Sequence, residues 1–133
     1  MISYDTNVLI YALEGHPEFG TASQKIVLLG ESQGAVLSVL AKHELYTGVV
    51  LGAGDASGTM SAFGSLTNMR LIDATEDVVD IAVELTVKYG KKCRGYDALI
   101  LATAISSGAQ TYYTNDKNLL RAGIEEIVVV GLL

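Results

Sequence analysis

Four acidic residues of this sequence stand where parallel strands would end. Asp5 follows the strand-like run 2–4, and Asp116 follows the strand-like QTYYT. Asp97 opens the helical run in GYDALILATA, and Glu44 lies about one helical turn beyond a second strand-like run, in SVLAKHEL. Ligands of open α/β sheets bind outside the carboxyl ends of the strands, so we expect these acids to meet at one edge. Carboxylates gathered there repel one another and, without a Cys/His cluster, favour a hard cation such as Mg²⁺ or Mn²⁺.

Each aspartate also has a purely structural interpretation, because Asp is favoured at helix N-caps and in the first helical turn. Glu44 is different, since it lies inside an apolar helical stretch beside Ala41 and Leu45. A partly buried carboxylate without a partner is costly there. We interpret the adjacent His43 as structural, because no second histidine has metal-ligand spacing to it.

The elements that must position these acids follow from the hydrophobic pattern. Short apolar runs rich in β-branched residues predict strands at 2–4, 35–39, 71–72, 110–113 and 127–130. Helical periodicity between them predicts helices at 22–29, 42–51, 78–89 and 98–106, with Gly90 and Gly108 as C-terminal signals. This alternation predicts one α/β domain with a parallel sheet covered on both faces.

The segment 42–69 breaks the alternation and predicts a helical hairpin turning at LGAGDASG. The glycines do not make a phosphate-binding loop, because Gly-Lys-Ser/Thr is absent. The hairpin carries more apolar residues than we expect two such helices to bury, which favours a partner or a two-fold dimer. The alternative is that the hairpin folds back onto its own domain. These residues are Val49, Val50, Leu51, Met60, Phe63, Leu66 and Met69.

Length and composition fit one folded domain. The chain has 133 residues, of which 50% are hydrophobic and 18% charged, unlike a disordered chain. The longest apolar runs fall short of a membrane span, and the N-terminus lacks the pattern of a signal peptide. A single cysteine, Cys93, allows no internal disulfide and predicts a cytoplasmic setting.

The net charge of −6 opposes binding to nucleic acid over the molecule as a whole. One stretch, KYGKKCRG, nevertheless concentrates basic residues: Lys88, Lys91, Lys92 and Arg94. This stretch is either a phosphate-binding surface or a solvated loop.

Four motifs in order resemble the PIN-domain ribonucleases, especially the small toxins of bacterial and archaeal type II toxin–antitoxin modules. They are DTN after the first strand, S-x-x-x-x-x-E from Ser38 to Glu44, YDALILATA and YYTND. The resemblance implies a three-layer α/β/α fold with strand order 3-2-1-4-5. Many members carry another acid and an aromatic residue where this chain has Asn118 and Leu119, so a fifth acid is missing.

The resemblance also implies a site and an activity. It places the acidic metal site at Asp5, Glu44, Asp97 and Asp116. Residues that support or orient these acids would be Thr6, Asn7, Ser38, Thr114 and Asn115. We expect a Mg²⁺- or Mn²⁺-dependent endoribonuclease acting on single-stranded or loop RNA, with phosphates contacted by Lys91, Lys92 and Arg94. Its expected partners are a small cognate antitoxin that covers the acidic site and a second copy of the chain.

Two alternatives remain open at this point. In a phosphoreceiver domain, Asp73 would accept the phosphoryl group, with Thr114 and Lys117 as its partners. Against this, a receiver has two adjacent acids after its first strand, where this chain has Asp5-Thr6, and Glu44 and Asp97 are left unexplained. The second alternative is a PIN-like RNA-binding module without catalysis, which the complete acidic set disfavours.

Overall fold

The fold is a five-stranded parallel sheet between two layers of helices, seen in a computed structural model that describes residues 1–52 and 55–133. The strands are β1 (Ile2–Tyr4), β2 (Ala35–Ser38), β3 (Met69–Ile72), β4 (Thr111–Thr114) and β5 (Val128–Gly131). Their order is β3-β2-β1-β4-β5, and every neighbouring pair is parallel. The predicted fold class and strand order are therefore confirmed.

Within the described residues, seven α-helices connect the strands. They are α1 (Thr6–Glu14), α2 (Gly20–Gln33), α3 (Val39–Leu51), α4 (Ala56–Gly64), α5 (Glu76–Tyr89), α6 (Gly95–Ser106) and α7 (Lys117–Arg121), with a 3₁₀ turn at Gly90–Lys92. Helix α5 ends at Gly90, as predicted, where a φ of 66° requires a residue without a side chain. None of the helices in the described ranges is long and apolar enough to cross a bilayer.

The sheet separates two apolar cores. Helices α1 to α4 enclose one core, which contains Leu37 of β2, and α5 and α6 enclose the other, which contains Val36. Adjacent residues of a strand point to opposite faces, so β2 contributes to both cores. The edge strand β5 is only partly covered, because Val128 is 62% exposed. The prediction of a sheet covered on both faces thus holds for its centre and fails at this edge.

The segment 42–69 contains α4 and most of α3, and these two helices contact each other and α1. Ala53 and Gly54 of the predicted LGAGDASG turn lie outside the described residues. The expectation of a free apolar surface is wrong for Val49 and Phe63, which are buried in the domain's own core. Phe63 packs edge-to-face on Tyr46, with the ring centroids 5.9 Å apart.

Candidate active site

The four predicted acids line one cavity at the carboxyl edge of the sheet. The cavity has a volume of about 390 Å³ and is called the acid cavity below. Its lining residues are Asp5, Thr6, Asn7, Ile10, Tyr11, Glu44, Asp97, Ile100, Tyr112, Asn115 and Asp116. Residues up to 111 positions apart meet here because strands β1 and β4 are neighbours and both end at this edge.

Asp5 is fixed at the end of β1 by three hydrogen bonds. Its Oδ1 accepts from the backbone N–H of Val8 at 3.0 Å, which caps α1, and its Oδ2 accepts from the hydroxyl of Thr114. Its own N–H donates to the carbonyl of Tyr113 at 3.0 Å. Burial raises the pKa of Asp5, the hydrogen bonds oppose this shift, and the charge of Asp116 adds to it. The capping role of Asp5 is compatible with the functional interpretation, because the capping residue also lines the cavity.

Thr114 couples Asp5 to Asp116. Its fully buried hydroxyl donates to Asp5 and accepts from the backbone N–H of Asp116 at 3.0 Å. Asp116 in turn caps α7 by accepting from the N–H of Asn118 at 2.8 Å. The orienting role that the resemblance gave to Thr114 thus has a physical basis in these two hydrogen bonds.

Glu44 of α3 is held by Thr6 of α1. The Thr6 hydroxyl donates to Oε1 of Glu44 at 2.7 Å, and Thr6 is only 5% exposed. This hydrogen bond satisfies one oxygen of a half-buried carboxylate, which lowers the cost of placing it between two helices. The other oxygen has no hydrogen-bond partner among the described residues, and Glu44 lines the cavity.

Asp97 lies in the first turn of α6 and lines the cavity. Its pKa is raised, first because the cavity wall partly shields the carboxylate from water. The negative charges of Asp116, Glu44 and Asp5, in that order, raise it further. Asp97 is therefore electrostatically coupled to the other three acids.

The donor set fits a hard divalent cation by its chemistry. All four ligand candidates are carboxylates, and among the residues that the structure describes no Lys or Arg lines the cavity to balance their charge. The two ion pairs found within residues 1–52 and 55–133 both involve Lys88, away from the cavity. As the side chains stand, no three His, Cys, Asp or Glu residues in the described ranges already converge on one ion position. That these carboxylates converge on one ion is therefore a proposal.

The other predicted site residues divide into three groups. Asn7 and Asn115 line the cavity with the acids. Ser38 does not line it but caps α3, the helix of Glu44, by accepting from the N–H of Leu40 at 3.1 Å. The basic segment, which we define as Lys91, Lys92 and Arg94, is exposed and immediately precedes α6.

The residues of the receiver hypothesis are not assembled. Asp73 follows the edge strand β3 and is exposed, and neither Asp73 nor Lys117 lines the acid cavity. Thr114 is instead committed to Asp5 and Asp116.

Sequence reasoning missed two tyrosines of the cavity wall. Tyr11 comes from α1, and Tyr112 comes from β4, where it is 2% exposed. Tyr112 stands two residues before Thr114 and therefore on the same face of the strand. This period-two spacing in TYYTND was the available signal.

The strand order and the acids at the carboxyl edge of the sheet define the protein as a three-layer α/β/α protein with an acidic site. A family model identifies the family. The model of the PIN domain matches residues 2–125, so the chain belongs to the PIN domain family. This membership excludes the receiver hypothesis. No curated protein sequence matches the chain.

Solved structures share the fold over nearly the whole chain. VapBC2 from Rickettsia felis, bound to a promoter DNA fragment, matches at 23% identity and a TM-score of 0.75, covering 98% of both chains. A toxin–antitoxin complex from Klebsiella pneumoniae matches at 23% identity and a TM-score of 0.75, covering 100% of this chain and 98% of that one. VapC20 of Mycobacterium tuberculosis, a sarcin–ricin loop cleaving toxin, matches at 19% identity and a TM-score of 0.73. The match covers 96% of this chain and 99% of that one. At these identities the likeness shows the fold.

Proposed function

We propose that this protein is a Mg²⁺- or Mn²⁺-dependent endoribonuclease and the toxin of a toxin–antitoxin pair. The observation that carries the proposal is the acid cavity, in which Asp5, Glu44, Asp97 and Asp116 face one space at the carboxyl edge of a PIN-domain sheet. The same acids argue against a PIN-like module that only binds RNA, since four mutually repelling carboxylates hinder binding of an anion unless a cation is present.

The acids have distinct proposed roles. Asp5, Asp97 and Asp116 would hold the ion, and Glu44 would be a further ligand or would accept a hydrogen bond from the attacking water. A bound divalent ion supplies positive charge to the phosphate oxygens and lowers the pKa of water. Thr114 and Thr6 orient Asp5 and Glu44 through their hydroxyl donors. Asn7 and Asn115 add amide groups to the wall.

The proposed substrate is single-stranded or loop RNA. The RNA-cleaving neighbour VapC20 supports this substrate class. The basic segment is the proposed phosphate contact, because it is exposed and leads directly into the helix that carries Asp97. Its three positive charges would offset the acidic surface locally.

An RNase assay with and without EDTA tests the proposal. We expect cleavage with Mg²⁺ or Mn²⁺ and none with EDTA. Replacing Asp5, Asp97 or Asp116 by Asn should lower the rate by about 100-fold or more, as is typical of essential catalytic groups. Asp73→Asn is the matched control and should keep the wild-type rate. Losses within about threefold in the acid variants would refute the site.

A cognate antitoxin is the proposed protein partner. Toxin–antitoxin complexes among the structural neighbours support this proposal. The acid cavity has four carboxylates and no basic residue in its lining, so a basic side chain of the antitoxin would fit it electrostatically.

A homodimer is also proposed, on a different surface from the hairpin. Helix α5 exposes a stripe of three valines, Val79, Val83 and Val87, beside an apolar groove shared with α6. The valines are four residues apart and lie on one face of the helix. An antiparallel pairing of two α5 helices about Val83 would place Val79 of one copy opposite Val87 of the other, as a two-fold axis requires.

Charge supports the same arrangement. The first turn of α5 carries Glu76 and Asp77, whereas the basic segment follows its C-terminal end. Antiparallel pairing brings the acidic end of one helix towards the basic end of the other, which favours this orientation over a parallel one.

A further inference from the structure

The acid cavity contains one buried hydroxyl that the proposed metal site does not use. Tyr112 is 2% exposed and packs in the core between the sheet and α6, yet it lines the cavity together with Asp97 and Ile100. Its hydroxyl makes no hydrogen bond to another described residue. Within residues 1–52 and 55–133, the hydroxyl of Ser23 is the one fully buried polar side-chain atom without a hydrogen-bond partner. The Tyr112 hydroxyl also lacks a partner, so it is not fully buried and keeps some accessible surface.

A hydroxyl that opens into the cavity without a partner in the protein adds no hydrogen bond to the fold, so phenylalanine would serve a purely structural role equally well. The two threonine hydroxyls at the cavity are already committed, Thr6 to Glu44 and Thr114 to Asp5. The hydrogen-bonding capacity of Tyr112 is therefore available to whatever occupies the cavity.

The hydroxyl is suited to donate rather than accept. A phenolic hydroxyl keeps its proton at neutral pH and can donate it. The surrounding carboxylates can only accept when ionised. A phosphodiester in the cavity has anionic oxygens that need donors, whereas a donor placed on the attacking water would weaken it as a nucleophile.

We propose that the Tyr112 hydroxyl donates a hydrogen bond to a non-bridging oxygen of the RNA phosphate that is cleaved. The inference rests on the proposed ribonuclease function and adds a substrate-contacting residue to it. Tyr112 would complement the divalent ion by binding the phosphate from the cavity wall, which has no lysine or arginine among the described residues.

The test compares two buried tyrosines on neighbouring strands. Tyr112→Phe removes the hydroxyl in the cavity, and Tyr4→Phe removes one from β1, where Tyr4 is 1% exposed and does not line the cavity. We expect Tyr112→Phe to lower kcat/KM by about 10- to 100-fold, the effect of one hydrogen bond to a charged group. Tyr4→Phe should stay within about twofold. The melting temperature of Tyr112→Phe should not fall, because no hydrogen bond within the protein is lost.

Phosphorothioate substrates identify the contacted oxygen. Sulfur replaces one non-bridging oxygen in each of the two diastereomers, and wild type should be slowed more by the diastereomer with sulfur at the Tyr112 position. In Tyr112→Phe this additional decrease in the cleavage rate should disappear. The rate decrease caused by the other diastereomer, including any effect of the metal, should stay as in wild type.

The outcomes separate this inference from the proposed function. An active wild type with an equally active Tyr112→Phe, or with an unchanged thio effect, overturns the inference and leaves the ribonuclease intact. A melting temperature several degrees lower in Tyr112→Phe assigns the hydroxyl a structural role. A wild type inactive with every divalent ion overturns the ribonuclease function and this contact with it.

Discussion

Replacing Asp97 by Asn should change the thermal stability of the protein in opposite directions with and without a divalent ion. Without the ion, Asp97 is repelled by Asp116, Glu44 and Asp5, so the neutral side chain should raise the melting temperature at pH 7. With the ion, the carboxylate becomes a ligand, and its loss should remove most of the stabilisation that the ion gives.

The ion effect has a predictable size. An ion at about 100 times its dissociation constant stabilises the native state by about 2.7 kcal/mol. An unfolding entropy of about 2.1 cal/mol/K per residue gives the 133-residue chain about 0.28 kcal/mol/K, so wild type should melt about 10 °C higher. A variant that binds the ion ~100-fold more weakly would be stabilised by it by only about 0.4 kcal/mol, which raises the melting temperature by about 1–2 °C.

The effect without the ion depends on pH with a defined sign. The pKa of Asp97 is raised in the folded state, so the stability tied to its protonated form is complete below the unfolded pKa of about 3.9. That stability is lost as the pH rises through the folded pKa. The advantage of Asp97→Asn in EDTA should therefore be present at neutral pH and vanish below about pH 4.

Circular-dichroism melts of both proteins in EDTA and in Mg²⁺ or Mn²⁺, across this pH range, provide the measurement. Asp73→Asn is the control, because Asp73 is exposed outside the acid cavity and its variant should keep the full ion shift. The reasoning fails if the ion leaves wild type unshifted at tens of millimolar, if Asp97→Asn shifts as much as wild type, or if Asp97→Asn melts lower in EDTA at pH 7.

Two further predictions concern surfaces. Replacing the three residues of the basic segment by alanine should lower the slope of log Kd for single-stranded RNA against log salt concentration by about 2, because about 0.7 counterions are released per phosphate contact. An unchanged slope together with a changed sedimentation mass would assign the basic segment to the dimer interface instead. Val83→Asp should give a monomer in sedimentation equilibrium at tens of micromolar, while the control Leu28→Asp, at a residue 68% exposed on α2, stays dimeric. A wild-type monomer, or a Val83→Asp dimer, would remove the valine stripe from any interface.

Local sequence predicted the type of each element better than its ends. The run 71–72 predicted only half of β3, because the polar Arg70 interrupts the apolar pattern and pairing with β2 extends the strand back to Met69. The helix predicted at 22–29 continues to Gln33, where the pattern turns polar but Glu31 accepts hydrogen bonds from Thr67 and Asn68 of a distant segment. Such ends depend on partners that local periodicity does not contain.

The sequence by itself determined the parallel α/β arrangement and the gathering of the acids. Alternating strand and helix periods favour a parallel sheet, and all strands of a parallel sheet end at one edge, so the acids were expected along that edge. The pairing of β1 with β4 then brings Asp5 close to Asp116. The tertiary structure alone decided how these acids are held. The hydrogen bonds of Thr6 with Glu44 and of Thr114 with Asp5 join residues 38 and 109 positions apart. Likewise, only packing placed Phe63 inside the core and Tyr112 in the cavity wall, because periodicity gives the face on which a side chain lies, whereas its neighbours depend on which elements cover that face.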